Sequence, residues 1–311
     1  MERLSVIIPA YNEEKMVKKA AQTIGEILES NNIEYELIFV NDGSKDFTGE
    51  ILKEIALEDK RIKVINFSRN FGKEAAIFAG LSYSSGEACV VIDCDLQHPP
   101  ETILEMYKLW KDGFEVVEGI KSSRGTESRL KKFMSESFYN IISVLSGIDM
   151  KNMSDFKLLD RKAVNVLINM PEKQIFFRAL SSWIGFKSTE VTYDVRDREA
   201  GETKWSMLSL FKYALSNITS FSSAPLQIIT MAGVIFLIFA LILAIQSLYK
   251  RISGQAVEGF TTVILLLLII GSLIMVSLGI IGYYISKIYE EIKSRPRYIV
   301  KSVVNSEKKE E

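Results

Sequence analysis

The stretch LSVIIPAYNEE at residues 4–14 decides the fold of this chain. Its first part, LSVIIP, is a short apolar and β-branched run, which predicts a buried β-strand from Leu4 to Pro9. A turn with one aromatic and two acidic side chains follows directly, at Tyr11, Glu13 and Glu14. We expect this turn to lie at the end of a strand, where α/β sheets bind their ligands.

The same pattern recurs further along the chain. Strands are predicted at 36–40, 62–67, 88–92 and 114–117, and segments of helical periodicity at 13–29, 47–57, 74–82 and 100–110. This alternation predicts an α/β fold, in which helices cover a mostly parallel sheet.

Two more predicted strands end in acidic turns, NDGS at 41–44 and DCDLQH at 93–98. Asp42 offers acceptors to a base or ribose, and Tyr11 offers an aromatic surface to the same base. Asp93, Asp95 and Gln97 supply the oxygen ligands that suit a Mg²⁺ or Mn²⁺ ion bound to a diphosphate. Both turns also fit ordinary helix caps, so the residues alone leave a structural role open.

Composition narrows the class of partner. The 311 residues carry a formal net charge of −1 and no basic stripe interleaved with aromatic residues, so we expect no nucleic-acid partner. Cys89 and Cys94 fit neither a disulfide framework nor a zinc site, and we expect reduced thiols. The single histidine, His98, precedes two prolines and is expected in a turn, with contact to a diphosphate as the alternative.

Charge disappears from two later segments, 226–249 and 260–285. Each exceeds the roughly 20 residues that cross the hydrocarbon core of a bilayer, so the sequence predicts a two-helix transmembrane hairpin. Apolar residues at helical spacing predict an amphipathic helix over 206–225, which lies in the membrane interface or docks on the globular domain.

We expect the globular domain to lie on the cytoplasmic face of the cell membrane. The chain starts almost directly on a strand, without a basic segment followed by an apolar one. Five basic residues after the second span place the tail, 286–311, on the same side by the positive-inside rule; they are Lys287, Lys293, Arg295, Arg297 and Lys301. Lys250 and Arg251 in the short loop weaken this signal. The last residues, 306–311, are expected to be disordered.

Five motifs carry a resemblance to a known family: SVIIPAYNEE at 5–14, FVNDGSKD at 39–46, NFGKEAA at 70–76, VIDCDLQHPPE at 91–101 and SDFKLLDR at 154–161. With the two apolar segments, they resemble the family 2 glycosyltransferases, especially dolichol-phosphate mannose synthases and bacterial undecaprenyl-phosphate glucosyltransferases. The resemblance implies a GT-A domain over 1–205, then the juxtamembrane helix over 206–225, the two spans within 226–285 and the cytoplasmic tail.

The resemblance also implies roles for particular positions. Those that match nucleotide-sugar ligands are Pro9, Tyr11, Glu13, Asp42, Lys73 and Asp93, and those that match the metal site are Asp93, Asp95 and Gln97. Asp155 matches the acidic residue near the reacting centre, and we expect it to act with Asp95 in catalysis. Because a phosphate acceptor with a second pKa of about 6 is already ionised, Asp155 acts either as a base or as an orienting group.

A lipid phosphate acceptor requires cations, and arginine grips phosphate in a bidentate fork. The basic residues available after the sheet are Lys121, Arg124, Arg129, Arg178, Arg198 and Lys204. Lys121 and Arg124 match a basic pair of the relatives, and Arg198 and Lys204 lie in REAGETKW, which resembles another family segment. For each of these four residues, a solvated surface charge is the alternative.

The implied activity is inverting transfer of glucose from UDP-glucose to undecaprenyl or another polyprenyl phosphate, by an enzyme that we expect to be a homo-oligomer. UDP-N-acetylglucosamine, UDP-galactose and GDP-mannose are alternative donors. A polysaccharide synthase is disfavoured, because QIFFRA at 174–179 stands in place of the Gln-x-x-Arg-Trp motif. A non-catalytic membrane subunit that binds nucleotide-sugars is the alternative from another class.

Overall fold

The computed structural model describes residues 2–122, 154–172, 176–194, 224–254 and 259–305. These residues belong to two compact units. The first contains a β-sheet and takes in residues 295–305 from the end of the chain, and the second contains two long helices.

The described strands form one eight-stranded sheet in the order β7-β5-β6-β4-β1-β2-β3-β8. Their bounds are β1 Leu4–Ala10, β2 Tyr35–Asn41, β3 Ile62–Phe67, β4 Ala88–Val91, β5 Val116–Lys121, β6 Lys157–Asp160, β7 Ser188–Tyr193 and β8 Val300–Val304. β1 pairs in parallel with β2 and β4, and β2 pairs in parallel with β3. The predicted parallel sheet is therefore confirmed at its centre.

The first four described helices of the first unit alternate with β1 to β5, as predicted, whereas the last two follow β6 in succession and were not predicted. In chain order, these helices are α1 Val17–Ser30, α2 Thr48–Glu58, α3 Lys73–Tyr83, α4 Thr102–Lys111, α5 Arg161–Ile168 and α6 Phe177–Trp183. Each helix turns its apolar side inward; α1, for example, buries Val17, Ala20, Ile24 and Leu28. Because β1 is buried along almost its whole length, it forms the middle of the core, as its uninterrupted apolar run requires.

β6 interrupts the parallel order and brings a distant motif to the ligand-binding edge. It runs antiparallel beside β4, with Lys157 opposite Val91. Asp155 precedes Lys157 by two residues, and Asp93 follows Val91 by two. This register therefore carries Asp93 and Asp155 to the same edge of the sheet.

The end of the chain differs from the tail predicted over 286–311. β8 pairs antiparallel with β3. Tyr298 stacks on Phe67 with ring centroids 5.1 Å apart, and Asn305 donates from Nδ2 to the carbonyl oxygen of Ile62 at 3.0 Å. Charge alone suggested a solvated tail, but the β-branched residues of 299–304 complete the sheet edge.

The second unit consists of α7 Ala224–Ile252 and α8 Phe260–Ile292. Within the described ranges, one segment is long and apolar enough to cross a membrane, Leu266–Ile292, with 27 residues and a mean hydropathy of 2.4. α7 holds a shorter apolar stretch, Ile229–Leu243. α8 extends through residues that the sequence analysis assigned to the tail. The amphipathic helix predicted over 206–225 lies outside the described residues, apart from the first two residues of α7.

Candidate active site

A cleft of about 290 Å³ opens at the carboxyl ends of the central strands. We call it the carboxyl-end cleft, and its lining residues are Pro9, Ala10, Tyr11, Glu13, Asp42, Asn70, Gly72, Lys73, Asp93, Cys94 and Asp95. All six predicted nucleotide-sugar residues are among them. The parallel centre of the sheet explains this, because it directs the ends of β1, β2, β3 and β4 to one edge.

The turns after β1 and β2 are tied together. Asn12 accepts a hydrogen bond at Oδ1 from the main-chain N–H of Lys45, at 2.9 Å, and its own N–H donates to Oγ of Ser44, at 3.0 Å. Asn12 has a φ of 56°, a left-handed conformation that asparagine tolerates. Tyr11 stays 42% exposed beside it, so its ring has a face on which a base can stack.

Asp42 is buried and fixes the loop after β3. Its carboxylate accepts hydrogen bonds from the main-chain N–H groups of Phe71, at 2.7 Å, and Gly72, at 2.9 Å. Burial raises the pKa of Asp42, and these two bonds oppose the rise. Next to it, Gly43 has a φ of 64°, and a Cβ there would lie 2.4 Å from the main-chain carbon of Arg69. Asp42 thus lines the cleft, and it also holds in place the loop after β3, which lines the cleft with Gly72.

Lys73 bridges two carboxylates at the floor of the carboxyl-end cleft. Its Nζ lies 2.6 Å from Oδ1 of Asp93 and 2.7 Å from Oδ2 of Asp155. Burial by itself would lower the pKa of Lys73, but the two carboxylates outweigh it and raise that pKa. Lys73 is therefore a permanent cation that joins the aspartate after β4 to the one before β6.

Asp155 holds a second cation, Arg178, in a bidentate pair. Nε of Arg178 donates to Oδ1 at 2.7 Å, and the second guanidinium nitrogen donates to Oδ2 at 2.8 Å. Burial would raise the pKa of Asp155, but Lys73 and Arg178 outweigh it and hold the pKa well below its usual range. A carboxylate so tightly paired is a poor proton acceptor, so the geometry favours orientation over general-base catalysis.

Glu74, which was not singled out from the sequence, helps to hold Asp155 and Arg178 in place. Its Oε2 accepts a hydrogen bond at 2.8 Å from the main-chain N–H of Phe177, the first residue of α6. Burial and the nearby charge of Asp155 raise the pKa of Glu74 to about 7. Consecutive residues of α3, Lys73 and Glu74, thus fix Asp155 and the helix that carries its partner.

A fully buried lysine, Lys157, lies next to Asp155 and Arg178. Its Nζ is 3.1 Å from Oε1 of Glu118, and it donates to Oγ of Ser181 at 2.9 Å and to the carbonyl oxygen of Arg178 at 3.3 Å. Glu118 in turn accepts from the main-chain N–H of Ser154 at 3.0 Å. This network anchors both Asp155 and Arg178 from below. Nothing in the sequence indicated this network, because the burial of Lys157 between a strand and a helix is visible only in the structure.

The predicted metal site has carboxylates of the right chemistry. Asp93 and Asp95 both line the carboxyl-end cleft, whereas Gln97 does not; its N–H donates to Oδ1 of Asp95 at 3.1 Å. Among the described residues, no group of three or more histidine, cysteine, aspartate or glutamate side chains is placed to hold a metal ion. Mg²⁺ is commonly bound by one or two carboxylates together with substrate phosphates, and two aspartates fit that arrangement.

His98 lies in a bend of the loop after β4, as expected, and its side chain is buried beside Asp93. Its ring stacks on Phe156 with centroids 5.1 Å apart and meets Tyr193 edge-on at 5.4 Å. Burial lowers the pKa of His98, and its Nδ1 lies 4.0 Å from Oδ2 of Asp93. The ring therefore packs against Phe156 and Tyr193 beside Asp93.

The cations predicted for the lipid phosphate are only partly described. Lys121 is exposed at the end of β5, on the edge of the sheet that carries the cleft. Arg124, Arg198 and Lys204 lie outside the described residues. Cys89 and Cys94 are free buried thiols, as expected.

Curated relatives match almost the whole chain. A Bacillus subtilis (strain 168) protein named "Uncharacterized glycosyltransferase YkcC" is 41% identical over 98% of this chain and 95% of its own length. The "Prophage bactoprenol glucosyl transferase homolog" of Escherichia coli (strain K12) is 38% identical over 97% of this chain and 99% of its own length.

A solved structure shares the fold of the sheet-containing unit. It is glucosyl-3-phosphoglycerate synthase from Mycobacterium tuberculosis, crystallised with Mn²⁺, uridine diphosphate and phosphoglyceric acid, and it matches with a TM-score of 0.52 and 20% identity over 70% of this chain and 76% of its own. The fold is thus the GT-A-like α/β fold that the resemblance implied. The model of the family "Glycosyl transferase family 2" matches residues 5–181. On these grounds, the chain belongs to glycosyl transferase family 2.

Proposed function

We propose that this protein transfers glucose from UDP-glucose to a polyprenyl phosphate at the cytoplasmic face of the membrane, with inversion at the anomeric carbon. The observation that carries the proposal is the joining of Asp93 and Asp155 through Lys73 at the floor of the carboxyl-end cleft. The name of the Escherichia coli relative, which specifies bactoprenol and glucose, supports this acceptor and this sugar. The other donors and a homo-oligomeric state stay predictions.

The donor is proposed to lie along the carboxyl-end cleft. Tyr11 offers its exposed ring to the base, and the turns after β1 and β2 are already tied together, so little ordering is required on binding. Lys73 supplies a positive charge beside the site proposed for the diphosphate. Mg²⁺ or Mn²⁺ on Asp93 and Asp95 would neutralise charge on the departing nucleoside diphosphate.

The proposed reaction needs no proton acceptor on the protein. A phosphate monoester has a second pKa of about 6, so its oxygen arrives ionised at neutral pH. That oxygen forms a bond to the anomeric carbon while the bond from this carbon to the diphosphate breaks, and the nucleoside diphosphate leaves with the electron pair. Asp155 acts by holding Lys73 and Arg178 in place, so catalysis rests on positioning and electrostatics.

The second unit is proposed to be a transmembrane hairpin of α7 and α8. The chain leaves the sheet-containing unit before α7 and returns to it after α8, where β8 pairs with β3. A single crossing would place β3 and β8 on opposite sides of the bilayer, and this supports a second crossing by α7. α7 spans 29 residues, enough to cross together with α8.

A direct assay tests this function. The full-length protein in detergent, incubated with undecaprenyl phosphate and UDP-glucose, is expected to yield a lipid whose mass has risen by one hexose. UDP-N-acetylglucosamine, UDP-galactose and GDP-mannose serve as competing donors. Asp95→Ala is expected to abolish transfer, whereas Asp112→Ala, an exposed aspartate after α4, is expected to leave it intact. A polymeric product or consumption of another donor alone would contradict the proposal.

A further inference from the structure

We propose that Lys73 is a built-in counter-ion, which competes with the divalent cation for Asp93 and gives way when a nucleoside diphosphate binds. This inference rests on the proposed function, since it concerns the same cation and donor. It assigns Lys73 a role beyond binding the nucleotide-sugar: it couples entry of the cation to entry of the donor.

The first argument is the position of the ammonium group. Nζ of Lys73 lies 2.6 Å from Oδ1 of Asp93, which is hydrogen-bond distance, and a cation bound to the same oxygen would lie against it. Two cations on one carboxylate oxygen repel each other strongly in a partly buried site. Binding of a divalent cation to Asp93 therefore favours withdrawal of Lys73.

The second argument is the balance of charge after Lys73 withdraws. Asp155 keeps its bidentate pair with Arg178, so its charge stays compensated. Asp93 is different, since among the described residues its other basic neighbour is the buried ring of His98, with Nδ1 at 4.0 Å. Asp93 is a partly buried carboxylate, with 29% of its side chain exposed, and such a group is destabilised without a cation. Release of Asp93 by Lys73 thus leaves a carboxylate that requires another positive charge.

The third argument is that Lys73 has room to move toward a donor. Its side chain is 39% exposed and lines the carboxyl-end cleft. It is the first residue of α3 and follows Gly72, which has a φ of 98°; apart from its chain neighbours, no residue lies within 4 Å of the position that a Cβ of Gly72 would occupy. An incoming diphosphate offers Lys73 new anionic partners, so the lysine exchanges partners without losing charge compensation.

Binding of the divalent cation and of the nucleotide should consequently be cooperative. The test uses full-length protein in detergent and measures Mn²⁺ binding from the electron paramagnetic resonance signal of the free ion, with and without UDP. Lys73→Met is expected to bind Mn²⁺ without UDP roughly tenfold more tightly than the wild type, within the range usual for coupled sites. Lys73→Gln, which keeps a donor but no charge, is expected to behave alike and serves if Lys73→Met fails to fold.

Lys187→Met is the matched control, because it removes one positive charge beside Phe114, at the opposite edge of the sheet. It is expected to bind Mn²⁺ as the wild type does. Equal Mn²⁺ affinities of the wild type and both Lys73 variants without UDP would overturn the counter-ion role, while UDP-dependent Mn²⁺ binding would leave the proposed function standing. Absence of Mn²⁺ binding to the wild type even with UDP would refute the proposed cation, and this inference with it.

Discussion

Asp93 follows β4 by two residues and Asp155 precedes β6 by two residues, so the antiparallel pairing of Val91 with Lys157 brings them together, and a single ammonium group joins them. One of these carboxylates faces the carboxyl-end cleft, and the other holds Arg178. The site is therefore a chain of alternating charges that runs from Asp93 through Lys73 and Asp155 to Arg178. Its members depend on one another for position, so the effects of mutating them are expected to be non-additive.

Asp155→Asn is expected to lower kcat by about 100-fold, the effect of misplacing reacting groups by about 1 Å. The ratio of wild-type to variant activity should stay constant from about pH 8 to about pH 9, above the titration of Glu74, because the pKa of Asp155 is held well below this range by Lys73 and Arg178. The paired Asp155 stabilises the fold above its unfolded pKa, and this contribution is lost only as pH falls through the lower folded value. Initial rates of lipid glycosylation across this range provide the measurement.

Asp112→Asn is the control for this experiment, since it changes an exposed aspartate at the end of α4. A ratio that rises steadily with pH would show that Asp155 titrates in the working range. It would then be acting as a base.

Glu74→Gln is expected to raise the melting temperature by several degrees at about pH 8 and to change it little at about pH 5. Each kcal/mol gained in the free energy of unfolding raises the melting temperature by about 2–4 °C. The folded pKa of Glu74 is raised from 4.5 to about 7 by burial and by Asp155. Wild-type stability is thus lost as pH rises through this window, whereas glutamine stays neutral and keeps an acceptor for the N–H of Phe177. Thermal unfolding of both proteins at the two pH values measures the effect, and a pH-independent difference would contradict it.

Lys157→Met is expected to lower the free energy of unfolding by about 3–5 kcal/mol, the usual loss when one member of a buried ion pair is left unpaired. The double variant Lys157→Met, Glu118→Gln should recover most of this stability, because the glutamine is neutral and still accepts from the N–H of Ser154. Thermal unfolding of the single and double variants compares them. No recovery in the double variant would mean that packing, rather than charge, explains the loss.

The predicted parts of the fold are those that short-range patterns determine. The short apolar and β-branched run LSVIIP predicts a buried strand. The alternation of strands and helices that follows predicts a mostly parallel sheet. The antiparallel insertion of β6 was not predictable, because nothing in the four residues KLLD indicates strand direction. β8 had a signal in the β-branched run IVKSVV at 299–304, but the charged residues around it suggested a tail.

The site likewise contains residues that short-range patterns predict and residues that they do not. Pro9, Tyr11, Asp42 and Asp93 follow strands directly, so their meeting at one edge was predictable from the sheet. The partners of Asp155 were not, since Arg178 and Glu74 reach it through the packing of α6 against α3. Long-range pairs of this kind depend on tertiary contacts that a single sequence does not display.

The proposed hairpin predicts which residues face the outside of the cell. Cysteine introduced at Ser253, after α7, should react with a membrane-impermeant maleimide in intact bacterial cells, whereas cysteine at exposed Lys301, within β8, should react only after lysis. The native thiols, Cys89 and Cys94, are buried and give a low background. This difference follows from the proposed hairpin, both ends of which emerge on the side of the membrane where β8 pairs with β3. Labelling of both positions in intact cells would show that the helices do not place these residues on opposite sides, and protection of both until lysis would show that α7 does not cross.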